Sequence, residues 1–183
     1  MNDAEEQVIL VDERDAERGL GLKLETHKRG ILHRAFSIYA FNDRGELLLQ
    51  KRAAGKYHSG GVWANTCCGH PRQGEENAEA AHRRLQEEMG FDCPLQEIPS
   101  TVYRAELGHS MVEHEFLHVF IGRFNGTPKP NPKEAEDFAW VSLAKLQEDI
   151  AALPERYSAW LKICLPHVMK NTNGATARSN TAR

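Results

Sequence analysis

The sequence predicts one α/β (α+β) domain built around a mixed β-sheet, and three observations carry that expectation. Short β-type segments alternate with a few helical ones along the chain instead of being grouped by type. At 183 residues the chain is long enough to bury one proper core and short for two. No internal repeat divides it. The domain is expected to span residues 1–170, with the polar stretch NTNGATARSNTAR at 171–183 as a disordered tail.

The elements follow in order. Residues 8–11 form a short β-type run, then the charged turn DERDAERG leads into GLGLKLET, whose alternating apolar positions complete a hairpin-like start. Residues 35–41 are a strand rich in aromatic and β-branched side chains. The turn Asn42-Asp43-Arg44-Gly45 then leads to a returning strand at 46–51. Residues 75–89 carry strong helix formers, with Ala78, Ala81, Leu85 and Met89 on one face and Gly90 as the stop. Val, Phe and Ile make 111–124 another strand. A proline-rich loop, NGTPKPNPKEAED, precedes the strand FAWVS, and Ser142 caps the short helix LAKLQEDI. A last helix is expected to begin at Pro154 and end at Pro166.

Composition excludes several classes of function. A net charge of −3 supplies no global basic field, so nucleic acid is not an expected partner. The opening MNDAEEQVIL is acidic where a signal peptide is basic, and no apolar run reaches the roughly 20 residues that span a bilayer. A cytoplasmic protein without a membrane anchor is the expectation. Cys67, Cys68, Cys93 and Cys164 include no C-x-x-C pair, and adjacent cysteines pair poorly, so reduced thiols are expected rather than a disulfide scaffold or zinc ribbon.

Glutamates crowd one helix. Gly69, Glu75, Arg83, Leu85, Glu87, Glu88, Gly90 and Phe91 fall on a pattern that resembles the Nudix box, G-x5-E-x7-R-E-U-x-E-E-x-G-U. The resemblance implies a Nudix-like α/β/α sandwich. One position departs, since Arg84 stands where the pattern has a glutamate of the metal-binding set. Carboxylates facing a diphosphate require a bridging hard cation such as Mg²⁺, and Glu88 is the expected ligand. The bland alternative is a solvated helix with Arg84–Glu88 and Arg83–Glu87 pairs, each contributing ~0.3–0.5 kcal/mol.

A second cluster lies in the strand at 111–124. Period two puts Glu113 and Glu115 on one face beside Met111 and Leu117, and burying both requires a compensating cation. His27, His33 and His70 are candidate nitrogen ligands. Three imidazoles and two carboxylates suit six-coordinate Mn²⁺ or Mg²⁺, and such a set could bind Zn²⁺ in vitro. Each of these groups alone is more often structural or exposed than a ligand.

Around the altered box, the segments H-x5-H-R-A-F, N-T-C-C-G-H-P, Y-R-A and V-E-H-E resemble type I isopentenyl diphosphate isomerases over nearly the whole chain. The resemblance implies a metal held by His27, His33, His70, Glu113 and Glu115. It implies proton transfer by Cys68 and Glu115, with Tyr103 beside the acid and Trp160 facing a tertiary carbocation. Lys23, Arg52, Lys56 and Arg83 would meet the diphosphate, with Mg²⁺ linking it to Glu88 and the Cys68 carbonyl. The implied partner is an isoprenyl diphosphate, and a monomer is expected. From residues alone, Tyr103 reads equally as a packing side chain, and Trp160 belongs to an apolar stripe with Tyr157, Leu161 and Cys164.

Two other readings stand beside the isomerase. A Nudix-type diphosphate hydrolase would release phosphate, and a non-catalytic metal- or nucleotide-binding module would bind without turnover. The adjacent cysteines sharpen the expectation. If 65–70 is extended, Cys68 and His70 share a face while Cys67 points away into packing. A thiol near its reference pKa of ~8.5 would exchange a proton near neutral pH.

Overall fold

The structure, a computed structural model, describes residues 5–56, 58–108 and 110–178, with side chains to residue 172. The chain opens with β1 (Gln7–Val11) and β2 (Glu17–Leu22), paired antiparallel as the expected hairpin. GLGLKLET is not one strand, however. It breaks at Leu22, and α1 (Lys23–Arg29) follows, because Lys, Leu and Glu favour a helix once the backbone turns in. The helix puts Lys23 and His27 on one buried face, four residues apart.

β3 (His33–Phe41) is the axis of the sheet. It runs parallel to β8 (Met111–Arg123) along its whole length and antiparallel to β6 (Cys67–Gly69) at Phe36–Ile38. The Asn42–Gly45 turn leads into β4 (Glu46–Arg52), yet the two strands pair only at Phe41↔Leu47. They then diverge: β4 pairs with β5 (Trp63–Ala64) and with β9 (Ala135–Ser142). The expected two-stranded return is thus a corner, and the space it opens becomes a cleft.

Helices cover both faces. Ala35 and Tyr39 of β3, Leu117 and Val119 of β8, and Leu47 and Leu49 of β4 pack with α3 (Leu143–Ala152) and α4 (Ala159–Arg178). The alternate residues Phe36, Ile38, Ala40, Leu48 and Phe120 pack with Ala80, Ala81, Leu85 and Met89 of α2 (Asn77–Met89). This period-two division makes the single domain an α/β/α sandwich of the α+β class.

α2 begins two residues later than expected and ends at Gly90, where φ is 69°. A Cβ there would stand 2.4 Å from the Lys129 carbonyl, so the proline-rich loop packs directly on the stop. Ser142 caps α3 by accepting a hydrogen bond from Lys145 N at 3.3 Å. One strand was not expected, and the last helix and the tail depart from expectation. β7 (Leu95–Gly108), a long partner of β8, had no sequence counterpart; Pro99 sits where its register shifts, between Ile98 and Thr101, and interrupts the alternation. Pro154 starts a 3₁₀ turn, Pro154–Arg156, rather than the last helix. α4 starts at Ala159 and runs through Pro166 to Arg178, so Pro166 does not end it. The tail expected at 171–183 is helical as far as Arg178, and 179–183 lie outside the described residues. Among the described residues no helix is long and apolar enough to cross a membrane.

Candidate metal centre and diphosphate cleft

The face of β3 and β8 that packs on α4 carries more than apolar side chains. Continuing the Ala35–Tyr39 parity puts His33 and Ser37 on that face, and the Leu117–Val119 parity puts Glu113 and Glu115 there. The parallel register sets His33 opposite Glu115. α1 brings His27 over the same end, and the chain leaving β6 brings His70. His27, His33, Glu113 and Glu115 are all buried.

Hydrogen bonding fixes which ring nitrogen turns toward the centre. His27 Nδ1 meets the Lys23 carbonyl at 2.7 Å, and His33 Nδ1 meets the Ile31 carbonyl at 2.9 Å. A carbonyl only accepts, so Nδ1 carries the proton and Nε2 offers a lone pair. His33 Nε2 and His70 Nε2 are buried without a hydrogen-bond partner, 3.8 and 3.4 Å from Glu115 Oε1. Burial and the neighbouring His27 hold His33 down to about 4, and burial holds His70 well below the usual histidine range. Neutral nitrogen lone pairs therefore face carboxylate oxygen, an arrangement that calls for a cation between them. One donor atom each from His27, His33, His70 and Glu115 lies within 4.8 Å of the other three. Glu113 Oε2 lies 3.2 Å from His27 Nε2; burial raises the Glu113 pKa, but the neighbouring His27, His58 and His33 together outweigh it and hold the carboxyl down to about 2. Glu115 moves the other way, pushed up by burial and by the charge of Glu113, while Tyr103 donates its O–H to Glu115 Oε2 at 2.7 Å. These residues fit a hard divalent metal.

In front of the centre lies a cleft of 640 Å³. Cys68, Tyr103, Glu115 and Trp160 line it, together with Lys23, Arg52, Lys56, Arg83, Arg84 and Glu88. Cys68 is half-buried and Cys67 fully buried against α2, so the two thiols face opposite sides of the sheet as the alternation predicted. The thiol is not near its reference pKa. Burial pushes it up to about 12, against the pull of hydrogen bonds from Ser37 and Asn65, so Cys68 rests as the neutral thiol. All four cysteines are free.

Every sequence-predicted site residue reaches this region, with different engagements. Lys23 Nζ is 2.8 Å from Glu6 and Lys56 Nζ 2.6 Å from Glu134. Arg83 is held by both oxygens of Glu75, at 2.6 and 2.8 Å, and by Glu87 at 3.3 Å. Arg84, which replaces the box glutamate, inserts between Glu88, Glu87 at 2.8 Å and Glu134 at 3.4 Å. Gly69 makes room for it, since a Cβ there would meet Phe36 at 2.9 Å and Arg84 Cγ at 3.2 Å. Gln50 donates to the second oxygen of Glu88 at 3.0 Å. Trp160 is both core and wall: it packs in the α4 cluster while Arg52 lies 5.1 Å from its ring centroid.

Four neighbours were not found from sequence. His58 Nε2 is 3.5 Å from Glu113 Oε1, its ring stands edge-on to Trp160, and it forms a second donor group with His27 and Glu113. Asn65 and Ser37 hold the Cys68 sulfur, and Glu134 joins Lys56 to Arg84. Ser37 shares the period-two parity of His33 and Tyr39, whereas His58, Asn65 and Glu134 belong to no spacing rule; for His58 the surplus of histidines was the one signal, and it pointed to no partner.

Residues 31–161 match the NUDIX domain family. Isopentenyl-diphosphate Delta-isomerase 2 of Aromatoleum aromaticum is 54% identical over 175 residues, covering 94% of this chain and 93% of that protein. Isopentenyl-diphosphate Delta-isomerase 2 of Photorhabdus laumondii is 52% identical over 158 residues, covering 86% and 89%. The crystal structure of DR0079 from Deinococcus radiodurans shares the fold, with a TM-score of 0.73 at 22% identity over 91% of this chain and 98% of that one.

Proposed function

The chain belongs to the NUDIX domain family and, within it, to the isopentenyl-diphosphate Delta-isomerases, and from that premise we propose that it interconverts isopentenyl diphosphate and dimethylallyl diphosphate. The observation that carries the reading is the placement of a thiol, Cys68, and a tyrosine-bonded carboxyl, Glu115, in one cleft with Trp160. Moving the double bond adds a proton at C4 and removes one from C2. Cys68 and Glu115 are the two groups that hold and exchange those protons. Tyr103 orients Glu115 through its O–H. The tertiary cation formed in between is met by the Trp160 face, a contribution of roughly 2 kcal/mol when desolvated.

His27, His33, His70, Glu113 and Glu115 would hold Mn²⁺ or Mg²⁺. Glu88 and the Cys68 carbonyl would hold Mg²⁺ together with the diphosphate, whose remaining charge meets Lys23, Arg52, Lys56, Arg83 and Arg84. Bound there, hard cations offset the buried carboxylates, make a coordinated carboxyl proton more acidic and compensate the diphosphate. Arg84 among Glu87, Glu88 and Glu134 supports isomerisation over hydrolysis, because a guanidinium occupies space that a second metal carboxylate would use. We assign the protein to the cytoplasm, which suits four free thiols, and to a monomeric state supplying isoprenoid precursors.

The test is incubation with isopentenyl diphosphate and Mg²⁺ in D₂O. Deuterium in the product with the diphosphate intact supports the isomerase. Released phosphate would instead indicate a hydrolase, and unchanged substrate a binding module.

A further inference from the structure

Asn65 is fully buried between β5 and β6. Its Nδ2 lies 3.1 Å from the Ile38 carbonyl, 3.0 Å from the Cys67 carbonyl and 3.1 Å from Cys68 Sγ. Its Oδ1 accepts from Trp160 Nε1 at 3.1 Å and lies 3.3 Å from Cys68 Sγ. The amide has one possible orientation. Turned over, its oxygen would face two carbonyl oxygens and its NH₂ would face the indole N–H. Backbone groups of β3 and β6 therefore fix the amide, and the amide fixes both the thiol and the indole.

Ser37 Oγ stands 3.2 Å from the same sulfur. The sulfur thus has one acceptor (Oδ1), an Nδ2–H donor that it shares with the Ile38 and Cys67 carbonyls, and one hydroxyl able to serve as either. With its proton present, S–H points to Oδ1. With the proton gone, Nδ2–H and the Ser37 O–H both donate to sulfur. Only a hydroxyl rotation separates the two arrangements, so the sulfur stays in place through a proton transfer.

We propose that Asn65 is a positioning residue of the isomerisation: its amide holds the Cys68 sulfur and the Trp160 indole in one fixed relation, so that the proton-transfer atom and the aromatic wall address the same carbons. The inference rests on the reading of Cys68 and Trp160 given above. Such a tie matters because a misplacement of about 1 Å costs ~10²-fold in rate.

Asn65→Ala and Asn65→Asp test it in the metal-loaded protein, alone and combined with Trp63→Phe and Trp140→Phe, which leave Trp160 as the sole tryptophan. The expected result for Asn65→Ala is a kcat lower by ~10²-fold with KM for isopentenyl diphosphate within about threefold. Bound metal is unchanged, and the Trp160 emission shifts as its N–H loses its acceptor. Asn65→Asp keeps an oxygen toward the indole but sets its other oxygen against the Ile38 and Cys67 carbonyls, so it is expected to retain the emission and lose more than about threefold in kcat. A folded Asn65→Ala protein with kcat within about threefold of the unsubstituted one, or with unmoved emission, overturns the proposal. If the alanine variant does not fold, the aspartate variant decides on the same kcat criterion. If the unsubstituted protein fails to isomerise, the parent reading falls. The Trp160 emission and the rate of Cys68 alkylation by iodoacetamide in Asn65→Ala then judge the positioning by themselves, and unchanged values overturn it.

Discussion

Cys67 and Cys68 are chemically identical neighbours separated by the pleat of β6. Cys67 lies among Phe36, Leu85 and Phe120, and burial pushes its thiol far up. Cys68 opens on the cleft. Cys68→Ala is expected to abolish deuterium incorporation, while Cys67→Ala keeps it within about tenfold and costs about 1 kcal/mol in a denaturant melt. Tyr103→Phe removes the O–H given to Glu115 but leaves the ring in its packing. Its kcat is expected to fall by roughly 10- to 100-fold at unchanged metal content, read by steady-state kinetics with elemental analysis. At this scale much was legible. Period two alone put Glu113 with Glu115 and separated the cysteines, and the resemblance supplied their partners. His58, Asn65 and Glu134 were not legible, because loops and short strands bring them in from positions that no helical or strand period connects.

Gly90 ends α2 in a left-handed conformation with the Lys129 carbonyl where a Cβ would stand. Gly90→Ala is expected to destabilise the fold by about 1–3 kcal/mol and lower Tm by roughly 3–10 °C, with Glu88 displaced as the helix end shifts. Calorimetry checks the first effect, and a raised Mg²⁺ requirement the second. Elements with strong local signals were readable: the capped α3, the stop of α2, the β-rich run of β8. Those whose character comes from their neighbours were not. β7 owes its strand form to pairing with β8 across a proline-marked irregularity, and α1 hides in a stretch whose apolar residues alternate as in a strand. α4 continues past Pro166 with Leu165 and Val168 buried in the core on either side, a tertiary gain that outweighs the local proline penalty of about 3 kcal/mol.

For the whole molecule, the buried His/Glu centre ties stability to metal and to pH. A cation binding only the folded chain at a hundred times its Kd adds about 2.7 kcal/mol, so chelation is expected to lower Tm by roughly 5–10 °C. In the chelated protein the sign of the pH response follows from the groups that change. His33 titrates at about 4 and His58 at about 3, against 6.5 when unfolded, and His70 is depressed as well. As pH falls below 6.5 the unfolded chain takes up protons that the folded chain refuses, a loss of about 2 kcal/mol per histidine at pH 5. Glu115, raised in the fold, acts oppositely and regains stability as pH falls toward 4.5. Three histidines against one carboxyl give a net loss from pH 7 to 5, measurable by urea denaturation in chelator. The α/β/α layering was legible from the alternation of element types; the splay of β3 and β4 was not, because a hairpin and a corner share the same turn signal.

That parallel pairing of β3 with β8 also sets an order of events. Its register joins segments remote in the chain, and such non-local contacts form late because a long loop must close first. Since His33 and Glu115 meet only when this pair zips, a chain emerging from the ribosome has no cation site until most of the domain has been made. A cation held there would act as a final latch, closing on molecules that have already found the right strand partner.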